Sequence, residues 1–181
     1  DRPGFTSRPI GQKMSLRASV TSELHLEDVE VPASAMFEVE GLRGPLGCLT
    51  QARYGVAWGA LGAAMGCYSE ALEYGKERIQ FGRPIAGFQL VQRKLVNMVD
   101  DITYGQLMLR RLADLKDAGR SRPWQVSMAK RHCVKTALEA ARTARDILGA
   151  NGIMGDYACG RHMCNLESVF TYEGTHDIHT L

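Results

Sequence analysis

FQLVQRKLVNMVDDITYGQLMLRRLADLKDA, residues 88–118, decides the fold. Val91, Leu95, Met98, Ile102, Gly105, Leu109 and Leu112 follow one another at four- and three-residue steps. That spacing gathers side chains on one face of a helix and makes a bundle seam. It predicts a helix from about Phe88 to Ala118, stopped by Gly119 and Pro123. Toward the C-terminus the same period continues from about Trp124 to Leu148, with Val126, Ala129, Cys133, Ala137, Ala140, Ala144 and Ile147 inward. These small inner residues predict close packing, and Gly149 stands where a C-cap belongs. After the Asn151-Gly152 turn and Gly155, a shorter fourth helix is expected over Arg161 to Phe170.

Toward the N-terminus, Leu49, Arg53, Ala57, Leu61, Met65, Tyr68 and Leu72 also keep a helical period, from about Leu49 onward. Gly55, Gly59, Gly62 and Gly66 lie on this helix. Each costs about 1 kcal/mol of helix propensity relative to alanine, which predicts that another backbone or a flat ligand packs closely there. Before it, Gly41, Gly44, Pro45 and Gly47 read as an irregular stretch. Earlier still, Met14, Leu16, Ala18 and Val20, then Leu24 and Leu26, then Val29 and Val31 alternate at period two up to Pro32, the pattern of strands. The expected fold class is α+β, mainly α. Residues 1–44 are read as part of a β domain and residues 45–181 as a C-terminal antiparallel helical bundle truncated in its last helix. Internal repeats and low-complexity segments are absent. The chain is expected to be part of a longer protein, because it begins at Asp1 in what reads as a β region and stops at Leu181 with a helical pattern just begun.

With 45% hydrophobic and 23% charged residues and a formal net charge of +2, the composition is that of a soluble globular protein. Basic and acidic residues are interspersed, so no basic stripe points to nucleic acid. No apolar run approaches the roughly 20 residues needed to span a bilayer. Five widely spaced cysteines favour a reducing compartment over a disulfide framework. Cys159, His162 and Cys164 raise the question of zinc, but their spacing is poor for a tetrahedral site, and no metal is expected.

The densest chemistry lies at Thr171-Tyr-Glu-Gly-Thr-His-Asp-Ile-His179. Gly174 can adopt backbone angles closed to other residues, so Glu173 can project from a sharp turn between helical segments; a solvated or capping role for Glu173 is the alternative. Residues 77–89 bring Arg78, Phe81, Arg83 and Gln89 into one connection. This is either an exposed loop with Phe81 folded back as an anchor or a grip for phosphate. Asp146 to Gly152 is either a plain helix terminator or a turn presenting N–H groups to an anion. Gly47 to Arg53 opens a helix, where anions are favoured. His176 and His179 are read as hydrogen-bonding groups near a helix start. There is no HExxH, no Walker loop and no Ser-His-Asp order.

In this order the pieces resemble the acyl-CoA dehydrogenase family, in its C-terminal half. The resemblance runs through Gly44-Pro45-Leu46-Gly47-Cys48-Leu49 with Arg53, Arg78-Ile-Gln-Phe81-Gly82, Gln89, Leu148-Gly149-Ala150-Asn151-Gly152 and the Tyr-Glu-Gly-Thr turn. The wording from Tyr172 to His179 is most similar to the family's glutaryl-CoA branch. The resemblance implies that Glu173 is the general base that takes the α-proton of an acyl-CoA thioester while a hydride leaves the β-carbon for FAD. That chemistry asks for a base within reach in a dry pocket and for donors on the thioester carbonyl. It implies further that Arg78, Phe81, Gln89 and Asp146, Ile147, Leu148, Gly149, Ala150 contact the FAD of a neighbouring subunit, and that Thr175, His176 and Asp177 face the flavin. Leu46, Gly47, Cys48, Leu49, Thr50, Gln51, Ala52 and Arg53, with Gly174, would line the CoA-thioester site.

A homo-oligomer, typically a tetramer, follows from the same resemblance, with electron-transfer flavoprotein as acceptor and the bacterial cytoplasm or mitochondrial matrix as location. Ala150 departs from the glycine that many relatives carry. The groups that hold a distal carboxylate in the glutaryl enzymes belong to earlier chain. Two other readings stand beside glutaryl-CoA oxidation: dehydrogenation of another short acyl-CoA, and a flavin-free helical interaction module.

Overall fold

Four helices and two short antiparallel strand pairs make up the computed structural model, which describes residues 2–181. Strands β1 (Phe5–Pro9) and β2 (Ser22–Leu26) pair with Phe5 opposite Leu26 and Pro9 opposite Ser22. Helix α1 spans Arg43–Glu77 and is followed by a tight hairpin, β3 (Ile79–Gln80) with β4 (Arg83–Pro84). Helices α2 (Gln89–Asp117), α3 (Pro123–Ile147) and α4 (Ala158–Thr171) complete the bundle. No described helix is long and apolar enough to cross a membrane.

Contacts between the helices give their directions. Gln51 of α1 accepts from Lys116 of α2 at 2.7 Å, Leu61 lies against Gly105, and Gly75 meets Ala86 just before α2. Partner numbers fall as α1 advances, so the two helices are antiparallel. The same holds for α2 and α3, where Lys94 pairs with Asp146 and Gly105 approaches Cys133. It holds again for α3 and α4, where Arg142 bonds Glu167 at 2.6 Å and Lys130 reaches Tyr172. The result is an up-down-up-down bundle with α3 packed on all three other helices.

The core follows the seams read from the sequence. Leu95, Met98, Ile102, Gly105, Leu109 and Leu112 of α2 are buried, as are all seven inner residues expected on α3. On α1 the seam is shifted: Ala57, Ala60, Leu61, Ala64, Cys67, Ala71 and Gly75 are buried, while Met65 is 45% exposed. Gly55, Gly59, Gly62 and Gly66 face outward, and a Cβ at any of them would meet nothing of this chain within 4 Å. The close backbone or ligand expected against them is therefore not supplied by the described residues. Cys67 and Cys133, both buried, have thiols pushed up to about 12 by burial, which keeps them protonated and unreactive.

Two expected helix starts move, and the strands expected over Met14 to Val20 and at Val29 and Val31 do not form. Helix α1 starts at Arg43, before the expected Leu49, because Pro45 falls in the first turn, where a missing N–H costs nothing. Helix α4 begins at Ala158, before Arg161: Glu70 of α1 accepts the N–H groups of Ala158 and Cys159 at 2.8 and 2.9 Å and caps the helix from across the bundle. The alternating run from Gln12 to Val20 is a loop. Lys13 donates to Leu16 O at 3.0 Å, and Leu16 takes a left-handed φ of 47°. Ser15, 3% exposed, bonds Ser168, and Leu16 N–H donates to Asn165 Oδ1 at 2.8 Å, so α4 holds the loop that a strand ladder would otherwise have used.

Glu70→Ala is expected to lower unfolding free energy by about 2 kcal/mol, since it orphans two N–H groups at once. Glu70→Gln, which keeps one acceptor, should lose about half of that in a denaturant melt. Gly152→Ala should cost about 2 to 3 kcal/mol because its Cβ would overlap the carbonyl of Arg145, a backbone group that must shift. Gly105→Ala should cost less, its Cβ crowding the end of the Leu61 side chain and meeting Cys133 Sγ only at ordinary contact distance.

Candidate functional site

Helix α4 ends at Thr171, and the next residues make a turn that no helix permits. Tyr172 is extended, Glu173 has a left-handed φ of 57° and Gly174 a φ of 95°. A left-handed non-glycine residue costs about 1 to 3 kcal/mol and persists only where its surroundings fix it. Here three consecutive carbonyls are gripped. Lys130 Nζ donates to Tyr172 O and to Gly174 O, both at 3.0 Å. Arg53 Nε donates to Glu173 O at 2.7 Å, and His179 Nε2 shares that oxygen at 3.1 Å. A carbonyl can only accept, so the His179 proton resides on Nε2. Gly174 has no space for a side chain: a Cβ would stand 2.8 Å from His179 Nε2 and 3.2 Å from Arg53 Nη2.

The electrostatics match the geometry. Burial pulls Lys130 down from the usual lysine value to about 8, with the Glu173 carboxyl opposing and Arg53 adding to the shift. His179 is also held below its ordinary value, first by burial and then by Lys130 and Arg53. Glu173 Oε2 is buried and has no hydrogen-bond partner. Its carbonyl is held by two donors while one carboxyl oxygen keeps its lone pairs unspent, an arrangement suited to accepting a proton from a ligand.

The other predicted residues on this side lie close in sequence to the turn. Thr175 Oγ1 accepts from Ile178 N–H at 3.3 Å, and His176 stacks on Phe170 with ring centroids 4.4 Å apart. Asp177 is exposed within the turns that run from His176 to Thr180. Leu46 to Arg53 forms early turns of α1; Arg53 reaches the Glu173 turn, while Leu46, Gly47, Cys48, Gln51 and Ala52 lie on the surface. Leu49 and Thr50 are half-buried, and Thr50 bonds Leu46 O at 2.9 Å.

A second group gathers past the far end of α1. Arg78 lines a cleft of about 320 Å³ with Tyr74, Gln80, Ile85 and the turn from Ile147 to Asn151. Gly149 has a left-handed φ of 59° and is exposed, while Ile147 and Leu148 are buried in the core. Asp146 pairs with Lys94. Phe81 is 93% exposed on a left-handed φ of 51°, so it is not folded back as an anchor. It shares an open groove with Gln89, Phe88 and Arg83. Arg53 and Arg78 are separated by about 37 Å along α1 at 1.5 Å per residue, further than one dinucleotide spans. The structure thus places the predicted residues in two clusters, toward opposite ends of α1.

Lys130, only 1% exposed, is the functional candidate that sequence reasoning passed over. A lysine four residues from Val126 and four from Val134, on a buried stripe, was the available signal. A larger groove of about 910 Å³, between the loop at Met14 to Ser19 and α4, holds none of the predicted residues. Among the described residues no group of three or more His, Cys, Asp or Glu is arranged to hold a metal ion.

Residues 40–181 match the model of the acyl-CoA dehydrogenase C-terminal domain. The short-chain-specific acyl-CoA dehydrogenase of Megasphaera elsdenii is 34% identical over 178 residues, 97% of this chain and 46% of that protein. The crystal structure of glutaryl-CoA dehydrogenase from Mycobacterium smegmatis is 53% identical with a TM-score of 0.98, covering 100% of this chain and 47% of that one. Another structure, of a glutaryl-CoA dehydrogenase from Mycobacterium smegmatis in complex with FADH2, is 47% identical with the same TM-score and the same two coverages. The chain spans about half the length of these relatives. On the match over residues 40–181, it belongs to the acyl-CoA dehydrogenase family and carries that family's C-terminal domain.

Proposed function

We propose that the full-length protein is an FAD-dependent dehydrogenase of acyl-CoA thioesters, with glutaryl-CoA as substrate, crotonyl-CoA and carbon dioxide as products, and Glu173 as general base. The observation that carries this reading is the turn itself: a carboxylate on a left-handed backbone, fixed through three carbonyls, with Oε2 buried and unpartnered. The identity to Mycobacterium smegmatis glutaryl-CoA dehydrogenase, higher than that to the Megasphaera elsdenii short-chain enzyme, supports the substrate over butyryl-CoA. Arg53 and Lys130 are both engaged with carbonyls, so a distal carboxylate would have to be held by earlier chain.

The residues present fit FAD at both clusters. Arg78 offers a guanidinium beside an exposed backbone turn at Gly149 and Ala150, and Phe81 and Gln89 offer an unpacked ring and an amide. Thr175, His176 and Asp177 stand beside the base. When bound, FAD supplies the acceptor for the hydride that leaves the β-carbon. Glu173 takes the α-proton on Oε2, and its fixed backbone sets where that oxygen stands. For glutaryl-CoA, loss of the γ-carboxylate as carbon dioxide leaves an electron pair on the remaining carbon chain, to which protonated Glu173 returns its proton. The two clusters lie too far apart to share a flavin within one chain, which favours a homo-oligomer, a tetramer by the family pattern. Electron-transfer flavoprotein is the acceptor this reading implies. The bacterial source of the relatives favours a bacterial cytoplasm over the mitochondrial matrix.

In the full-length enzyme, Glu173→Gln should keep bound flavin and slow substrate-dependent flavin bleaching by at least about 100-fold, the scale of a lost general base. Bleaching at the wild-type rate would remove Glu173 from this role. Turnover compared on glutaryl-CoA, butyryl-CoA and isovaleryl-CoA, with carbon dioxide measured, tests the substrate; a preference for butyryl-CoA without carbon dioxide would give the short-chain reading.

Acid should weaken the fold. His162, His176 and His179 are all held below the ordinary histidine value, with burial the largest cause for each. As pH falls through about 6.5, the unfolded chain takes up protons that the folded chain refuses. Stability present above that pH is therefore lost as the pH falls further below it. Urea midpoints measured across this window should fall, and His179→Gln, which retains an N–H donor, should make the slope shallower.

A further inference from the structure

We infer that Lys130 is a positioning residue for Glu173, its buried ammonium spanning the carbonyls on either side of Glu173 and so setting the place from which the carboxyl works. The inference rests on the reading of Glu173 as general base.

An ammonium with 1% exposure is costly to bury, and such a group survives only with strong acceptors around it. Lys130 finds them in Tyr172 O and Gly174 O, both at 3.0 Å. Tyr172 is the C-cap of α4, where the partial negative charge of the helix end favours a cation. A bond to residue 172 alone would cap the helix, and a bond to residue 174 alone would tie down a loop. Holding both brackets the one residue between them, and that residue has the left-handed φ of 57°. Arg53 and His179 grip the bracketed carbonyl from the other elements, so Lys130 supplies the two outer points of a three-carbonyl hold. None of these bonds uses a Glu173 carboxyl oxygen, and Oε2 is left for the reaction. Lys130 fixes the backbone without competing for the proton.

The test uses full-length holoenzyme, with bleaching rates measured per bound flavin so that poor yield does not mask the effect. With saturating glutaryl-CoA, and with butyryl-CoA in parallel, Lys130→Met should slow bleaching about 100-fold, the scale expected of a base displaced by about 1 Å. The half-saturating concentration should change little, because binding is not what Lys130 serves. Lys130→Gln, with a shorter side chain that keeps an amide donor, should fall between. The double variant Glu173→Gln/Lys130→Met should be no slower than Glu173→Gln alone, because with the base gone its placement no longer matters. A wild-type rate per flavin in Lys130→Met, or a further loss in the double variant, overturns the inference while leaving Glu173 as base. A wild-type rate in Glu173→Gln overturns the base reading and this inference with it.

Discussion

Ala129, Cys133, Ala137, Ala140, Ala141 and Ala144 give α3 a buried surface with hardly any side-chain bulk, and α1, α2 and α4 close onto it. Packing at crystal-like density leaves little room for adjustment, so these small residues fix helix positions closely. Lys130 sits one residue beyond Ala129 on that same stripe. Its ammonium therefore arrives at the end of α4 because α3 is held there by its neighbours. The long reach from a rigid helix to a strained turn is how bundle packing sets the geometry of that turn.

What the sequence made legible was whatever periodicity governs. The α2 and α3 seams came through residue by residue, because both helices bury a continuous stripe whose spacing nothing else imitates. Helix α1 came through less well, since its glycines and alanines spread small residues around the axis and Met65 falls on the open side. The loop from Gln12 to Val20 could not be read, because its alternation is real but its pairing is preempted by bonds to Asn165 and Ser168, about 150 residues away in the chain. Glu70 was invisible, and Lys130 was marked only by its place on the buried stripe of α3, for a related reason. Each acts across the bundle on a backbone group, and backbone groups carry no letter in a sequence.

Under the proposed reading of Glu173 as base, the turn shows why such a site would divide its labour. A base must be held in place, yet its reacting oxygen must stay free, and a side chain bonded on all sides would satisfy the first demand by defeating the second. Fixing the main chain instead resolves the conflict. The left-handed φ at Glu173 is strain that a tyrosine carbonyl, a glycine carbonyl and its own carbonyl, all bound to donors, sustain together. Gly174 completes the arrangement: its φ of 95° and the closeness of Arg53 and His179 leave room for no other residue. The sequence had suggested a glycine that admits ligand; the structure supplies a separate reason for it, in which the glycine admits the grip.

The two ends of α1 pose the remaining question of architecture. Near its start Arg53 holds the Glu173 turn, and beyond its end Arg78 and Phe81 stand on an unpacked hairpin about 37 Å further along. A left-handed, almost fully exposed phenylalanine is an unfavourable thing for a chain to build for its own packing. It makes sense as a contact surface for something outside the chain. If that something is the far part of a flavin whose reactive ring lies against Glu173 of another copy, then one long helix lets each chain serve two sites, with its base at one end and its cofactor grip at the other. Every site would then need two chains, and the separation along α1 would set how far apart the shared sites must lie.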